Sequence, residues 1–436
     1  MGRLVEVKEF DSIIAKRGDN DSQAIDGFKC LNKDEFEELT AFIKEFTSTE
    51  EESDTLDFMK IGYRRSVGDI VTVKNYVGLI ELEKGFQLQI LPKIRLDDAG
   101  VDGDKRTKQI FIKMLRSMKD FPCKVFSDAS LNVDRMNLYE IFINMYLQEA
   151  RQLVKHGIRS SYVRQEENLN YYKGKLLIKN HIKENLTHKE RFYVSFDEFH
   201  PNRPENRLIK STLIKLQKKT TSMENSKEIR QLLTAFEMVE PSINYEKDFS
   251  KVMIDRNTKD YEMLMQWSKV FLLDKSFSSF SGKTASKALL FPMEKVYESY
   301  VAQEMKKKFM PDGWMVSSQD GGHYLFDRPR NQFALRPDIV MRRGNKTIIL
   351  DTKWKNLFDK ERKNYGISQA DMYQMYAYSK KYSTPDIWLL YPQNDEMKGH
   401  PPISFSSGEE THVNIHFVDL ENIDNNLDEL REKIYK

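Results

Sequence analysis

Two aspartates and a lysine stand out in the stretch ALRPDIVMRRGNKTIILDTKWKN, residues 334–356. Asp338 follows Pro337, which restricts the backbone just before it, and is read as closing the apolar run ahead of it. Asp351 closes a second apolar run. Asp351 and Lys353 are two apart, so an extended chain projects both to the same side. A hairpin turning around Arg342 to Asn345 would set Asp338 beside Asp351. Two carboxylates with an ammonium beside them suit a hard divalent cation that prefers oxygen ligands, Mg²⁺ with Mn²⁺ as its substitute. Such an ion acidifies a bound water and neutralises charge that builds on a phosphate. Lys353 would position the attacking water or stabilise the transition state. The Thr352 carbonyl is a further candidate ligand. Glu298, upstream, is the candidate third acid, and Glu294 competes for that place. Arg336 and Lys355 are candidate phosphate contacts.

These residues need a scaffold, and the surrounding pattern supplies one. FPMEKVYESYVAQEMKKKF reads as a helix with Met293, Val296, Tyr297, Tyr300 and Val301 on its apolar stripe. Glu294 and Glu298 lie four apart on the margin of that stripe. Two strands follow, then a helix over 367–382, an apolar strand over 385–392 and a last strand over 412–420. The order helix, strand, strand, helix, strand describes an α/β layer, placed at 281–436.

Upstream, DIVTVKNYVGLIELEKGFQLQILPKI alternates apolar and polar residues, so 1–125 is expected to be a β-rich domain with Gly78 and Gly85 at turns. Residues 46–58 are acidic and Ser/Thr-rich, and 95–109 are polar with Asp and Gly; both read as loops. Residues 126–280 are expected to be helical, with clear helices over 137–157 and 203–220. The second carries Lys210, Lys215, Lys218 and Lys219 on one face, as either a solvated surface or a partner surface. The Ser/Gly-rich stretch 274–292 holds the next boundary. The expected fold class is thus α+β and multidomain.

Bulk composition narrows the classes. The chain has 436 residues, 31% charged and 39% hydrophobic, with a net charge of +2, so any nucleic-acid surface must be a local patch. Its two cysteines, Cys30 and Cys123, form no CxxC pair, which argues against a disulfide framework or a thiolate zinc site. MGRLVEVKEF has no signal-peptide core, and no apolar run is long enough to span a bilayer, so a cytoplasmic location is expected. There is no internal repeat. With no GxxxxGK[ST] loop, no nucleotide is expected to bind this chain by that device.

The motif Pro337-Asp338, then Asp351-Thr352-Lys353 thirteen residues after Asp338, resembles the PD-(D/E)xK nuclease superfamily. The helix after it carries QADMY, residues 369–373, and Gln369 with Tyr373 resembles the Gln-x-x-x-Tyr pattern of one branch of these nucleases. There the helix backs the active site and approaches the DNA backbone. The likeness extends further. VGLIELEKGFQLQILPKI, EENLNYYKGKLLIKNHIKENL, FDEFHPNRPENRLIK, MEKVYESYV, RPDIV, ILDTKWK and SQADMYQMYAY together resemble the McrC family, the nuclease subunit of McrBC-type modification-dependent restriction systems. The polar insertion around 47–57 departs from that pattern. The resemblance implies a C-terminal restriction-endonuclease-like domain cutting double-stranded, modified DNA of the 5-methylcytosine type, in antiviral defence. It implies catalysis by Asp338, Asp351, Lys353 and Glu298, with metal held by Asp338, Asp351, Thr352 and Glu298. It also implies a separate AAA+ GTPase of McrB type, on which the N-terminal domain docks and whose GTP hydrolysis it stimulates. Two other readings compete: a non-catalytic adaptor of a AAA+ ring, and a stand-alone DNA repair nuclease.

Overall fold

The computed structural model describes residues 3–16, 27–48, 58–82, 86–94, 101–118, 136–256, 258–273, 287–408 and 410–435. Contacts divide the chain into two compact units, one of Met1–Phe121 with Ala288–Lys436 and one of Pro122–Lys287. Cys123, Gly85 and most of the acidic and Ser/Gly-rich stretches lie outside the described residues.

The first unit begins with β1 (Leu4–Lys8), β2 (Ser12–Ala15), β3 (Phe28–Leu31), α1 (Lys33–Ser48), β4 (Met59–Arg64), β5 (Gly68–Val73), β6 (Tyr76–Glu81), β7 (Gln87–Leu91) and α2 (Val101–Leu115). One sheet runs β3-β2-β5-β4, and β1-β7-β6 start another. β7 buries Leu88 to Leu91 without a break, Leu88 and Ile90 in the core to which α1 adds Phe36, Leu39 and Ile43 at helical spacing. The polar stretch expected to be a loop is helical from Val101 onward. Its early Asp and Gly residues hide a stripe of Ile110, Phe111, Met114 and Leu115, all buried. Gly78 is not in a turn either. It lies inside β6.

The second unit holds α3 (Leu138–His156), β8 (Ser161–Leu169), β9 (Lys175–Leu176), α4 (Ile178–Glu184), β10 (Phe192–His200), α5 (Pro204–Lys219), α6 (Met223–Ala235), α7 (Tyr245–Phe249) and α8 (Glu262–Leu273). Alongside these helices, β8, β10 and β9 form a three-stranded sheet, antiparallel throughout, which the sequence reading did not anticipate. Tyr162 and Phe199 on its strands are exposed, and a ribbon with little buried surface leaves little alternation to read. Buried Glu140 of α3 accepts hydrogen bonds from Thr220, Thr221 and Asn225, tying α3 to the α5–α6 connection. On α5, Lys210 and Lys215 donate to backbone carbonyls of Val239 and Leu272, so part of the basic face is structural.

The first unit resumes with β11 (Lys287–Pro292), α9 (Met293–Phe309), β12 (Met315–Ser318), β13 (His323–Phe326), β14 (Gln332–Leu335), β15 (Ile339–Arg343), β16 (Lys346–Thr352), α10 (Gln369–Tyr382), β17 (Asp386–Pro392), β18 (Ser404–Ser407), β19 (Thr411–Val418) and α11 (Ile423–Tyr435). β11 completes the order β1-β7-β6-β11. The large sheet runs β12-β15-β16-β17-β19-β18. β15 and β16 form an antiparallel hairpin, with Arg343 opposite Lys346 and Gly344 at positive φ in the turn. β16, β17 and β19 are parallel, and α10 makes the crossover from β16 to β17. Ile348, Ile349 and Leu350 are all buried, as suits a central strand covered on both faces. Met375, Tyr378 and Tyr382 of α10 pack with Ile349, Ile387 and Leu389, while α9 packs on β12 and β16. No described helix is long and apolar enough to cross a membrane.

A Cβ placed on Gly78 (φ 145°) would lie 1.8 Å from the Leu289 carbonyl oxygen. Only glycine lets β6 and β11 approach this closely. Gly78→Ala should therefore destabilise the protein by about 2 kcal/mol or more. A thermal unfolding midpoint unchanged from wild type would show that the two strands can separate at no cost.

Candidate active site

The hairpin register sets Ile339 opposite Leu350, so Asp338 and Asp351 flank the next position. Asp338 stands at the entry of β15 rather than closing the run before it. That run, β14, pairs with β13 in a separate two-stranded sheet. Asp338 Oδ2 accepts from the Thr352 backbone N–H at 2.7 Å and from its hydroxyl at 2.6 Å. These bonds fasten the start of one strand to the end of the next. Asp351, 1% exposed, presents Oδ2 to Lys353 Nζ at 2.6 Å, yet that oxygen takes no well-directed hydrogen bond. Lys353 Nζ also lies 3.2 Å from Gln374 Oε1 and 3.9 Å from Asp371.

A cavity of about 770 Å³ opens here. Its acids are Glu294, Glu298, Asp338, Asp351 and Asp371, and its lysines are Lys93, Lys353 and Lys355. Burial pushes the Asp351 carboxyl up to about 7, helped by the charge of Asp338. Burial likewise raises Asp338, against its bonds from Thr352. Glu298 is raised to about 7 by burial and by Asp338, while accepting from Gln319 Nε2 at 2.9 Å. Burial works to lower the Lys353 ammonium, but Asp351 beside it raises it overall. Glu294 accepts from Asn75 Nδ2 at 3.0 Å. Both glutamates line the cavity, and neither displaces the other. Crowded, partly desolvated carboxylates of this kind mark functional sites more often than structural ones.

Among the described residues, no group of three or more His, Cys, Asp or Glu side chains encloses a metal position. The donors are nonetheless all oxygens, and Asp351 Oδ2 lacks a directed hydrogen bond. Mg²⁺ characteristically takes one or two carboxylates and keeps its waters, so Asp338 with Asp351 fits it better than a three-acid cage.

The structure does not bring Gln369 and Tyr373 to this cavity. They hydrogen-bond each other at 2.6 Å on the outer face of α10, with Tyr373 66% exposed. The same spacing recurs five residues on. Gln374 Nε2 donates to the Tyr378 hydroxyl at 2.7 Å, while its Oε1 faces Lys353. That repeat, and Asp371 one turn before Gln374, were legible signals that pattern reading passed over. Arg336 is exposed and does not line the cavity, whereas Lys355 is exposed and does.

Phe10, Asn75 and Lys93 reach the cavity wall from the first part of the chain, which sequence reading did not anticipate. Phe10 holds a left-handed backbone (φ 66°), costing about 1 kcal/mol or more, in a turn closed by Asp11 on the Lys8 N–H. Beside it, Glu9 is fully buried. It accepts from the Lys93 N–H at 3.0 Å and from Trp354 Nε1 at 3.1 and 3.2 Å.

A sequence model of the family described as "McrBC 5-methylcytosine restriction system component" matches residues 71–392. The chain belongs to this family. No curated protein matches it. Among solved structures, it is similar to a chain of the "refined half-complex from tetradecameric assembly of Thermococcus gammatolerans McrB AAA+ hexamers with bound McrC". The identity is 20% and the TM-score 0.67, over 98% of this chain and 100% of that one. A chain of the Thermococcus gammatolerans McrBC complex, solved by cryo-electron microscopy, matches at 20% identity and TM-score 0.49, over 70% and 88%. The first likeness supports a shared fold with that chain.

Burial raises the Glu9 carboxyl to about 8 from its ordinary 4.5. Between those values the folded protein holds a proton that the unfolded chain releases. The resulting stability is full below 4.5 and is lost as pH rises toward 8. Relative to Glu9→Gln, the wild type should lose stability across this window, by up to about 1.4 kcal/mol per pH unit. Parallel melting-temperature profiles for the two proteins would refute an ionising Glu9.

Proposed function

We propose that this chain is the Mg²⁺-dependent DNA endonuclease subunit of a modification-dependent restriction complex, with a PD-(D/E)xK catalytic domain. The observation that carries this is the pairing of Asp338 and Asp351 across one hairpin, with Lys353 at 2.6 Å from Asp351, in an open cavity. Asp338, Asp351 and the Thr352 carbonyl would hold the cation. The ion, when bound, would acidify a water and offset charge on the scissile phosphate. Lys353 steadies the incoming water and the charge growing on the phosphate oxygens. Glu298, with a proton affinity near neutrality, suits it to accept a proton from that water. Asp371 and Gln374 hold the Lys353 ammonium in place. Lys355 contacts DNA phosphates at the rim.

The family's description names 5-methylcytosine, and the similar chain from Thermococcus gammatolerans comes from an assembly of McrB AAA+ hexamers with McrC. The first supports modified DNA as substrate, and the second a McrB-type AAA+ partner. In this reading the partner carries the nucleotide and the motor, and this chain stimulates its GTP hydrolysis and cuts.

Asp351→Asn should lower DNA cleavage by the complex at least about 1,000-fold while leaving assembly and stimulated GTP hydrolysis intact. Cutting that survives the change would place the chemistry elsewhere. Intact GTPase stimulation with no cutting by the wild type, on methylated or plain DNA, would leave the adaptor reading instead.

On α10, Gln374→Ala should slow cleavage roughly 10- to 100-fold, as removal of an outer partner commonly does, and Gln369→Ala should leave it within about threefold. Equal effects from the two would deny the inward pair its role.

A further inference from the structure

The cavity's negative charge poses a problem for any polyanion entering it. Five carboxylates line it: Glu294, Glu298, Asp338, Asp351 and Asp371. Lys353 is already engaged with Asp351 and Asp371. Lys355 is exposed at the rim. Lys93 differs from both. It lines the cavity from the Leu-Pro-Lys-Ile stretch after β7. Its ammonium makes no ion pair or hydrogen bond among the described residues, though it acts electrostatically on Glu9. Its backbone, by contrast, is firmly held. The Lys93 N–H donates to Glu9 Oε2 at 3.0 Å, and the same carboxylate accepts from the indole of Trp354, the residue after Lys353. Trp354 is packed on Tyr297 of α9 with ring centroids 5.3 Å apart. One buried carboxylate thus fixes residue 93 to the exit of the catalytic strand.

We propose that Lys93 is a further substrate-contacting residue, whose ammonium binds a backbone phosphate of the DNA in the cavity, and that Glu9 is the positioning residue that sets its place. This rests on the nuclease reading and extends the site to a residue from the first part of the chain. A cation on a backbone tied to the exit of the Lys353 strand would counter the acidic wall and align the DNA strand without reading its bases.

The test uses the full chain with its AAA+ partner and a methylated duplex. Lys93→Ala should raise KM for DNA about tenfold with kcat changed less than about threefold, and Lys93→Arg should restore KM. In DNA-binding titrations without Mg²⁺, Lys93→Ala should reduce the slope of log K against log salt by about one. Wild-type KM and salt slope in Lys93→Ala would overturn the proposal. So would a lowered melting temperature with unchanged KM and slope, which would reduce Lys93 to a structural residue. The binding titration does not depend on cutting. If the wild type fails to cleave, or Asp351→Asn still cleaves, the nuclease reading fails by itself, and the salt slope still decides for or against Lys93.

Discussion

The register of one hairpin governs the site. With Ile339 set against Leu350, the next residues out are the two aspartates. A slip by one residue would send one of them to the opposite face of the sheet. The Thr352 N–H and hydroxyl, both on Asp338 Oδ2, act as a lock on that register. Bringing two carboxylates together where water is scarce is unfavourable, and their raised proton affinities express it. The hydrophobic strands beneath, buried on both faces, hold the arrangement against that repulsion. Lys353, Asp371 and Gln374 then form a tier that orders the ammonium instead of leaving it mobile.

Much of this was legible in the chain. Asp338, Asp351 and Lys353 announce themselves because their chemistry depends on short spacings, and strand periodicity alone puts Asp351 and Lys353 on one side. The hairpin turn is marked by Gly344, and the α10 crossover by its position between apolar strands. What escaped reading depends on long-range proximity. Nothing local relates Glu9, Asn75 or Lys93 to Lys353, since residues hundreds of positions away decide what each of them faces. On α10, two successive Gln-x-x-x-Tyr pairs fit one pattern, and only the helix's rotation on the sheet turns Gln374 with Tyr378 inward and leaves Gln369 with Tyr373 outward. The β8–β10 ribbon was missed because burial in β10 is confined to Val194, Ser195 and Phe196, with no alternating face, and α2 because Asp and Gly at its start mask a good apolar stripe.

Membership of the McrBC family places these observations in a restriction system. The site's low cationic content is then less puzzling. If a partner motor delivers the DNA, as proposed, a few well-placed cations would suffice to seat one strand.

The β6–β11 pairing has a further consequence, for synthesis. Gly78 and Leu289 are apposed across roughly 200 residues of intervening chain, a loop whose closure carries a large entropic cost. While the ribosome has yet to release β11, β6 presents an open edge of unpaired backbone groups. The sheet that carries Lys93 and Asn75 thus completes late, after the whole Pro122–Lys287 unit has emerged. Fragments of the chain lacking residues 287–292 would keep that sticky edge, so the sheet beside the cavity closes only once translation has passed β11.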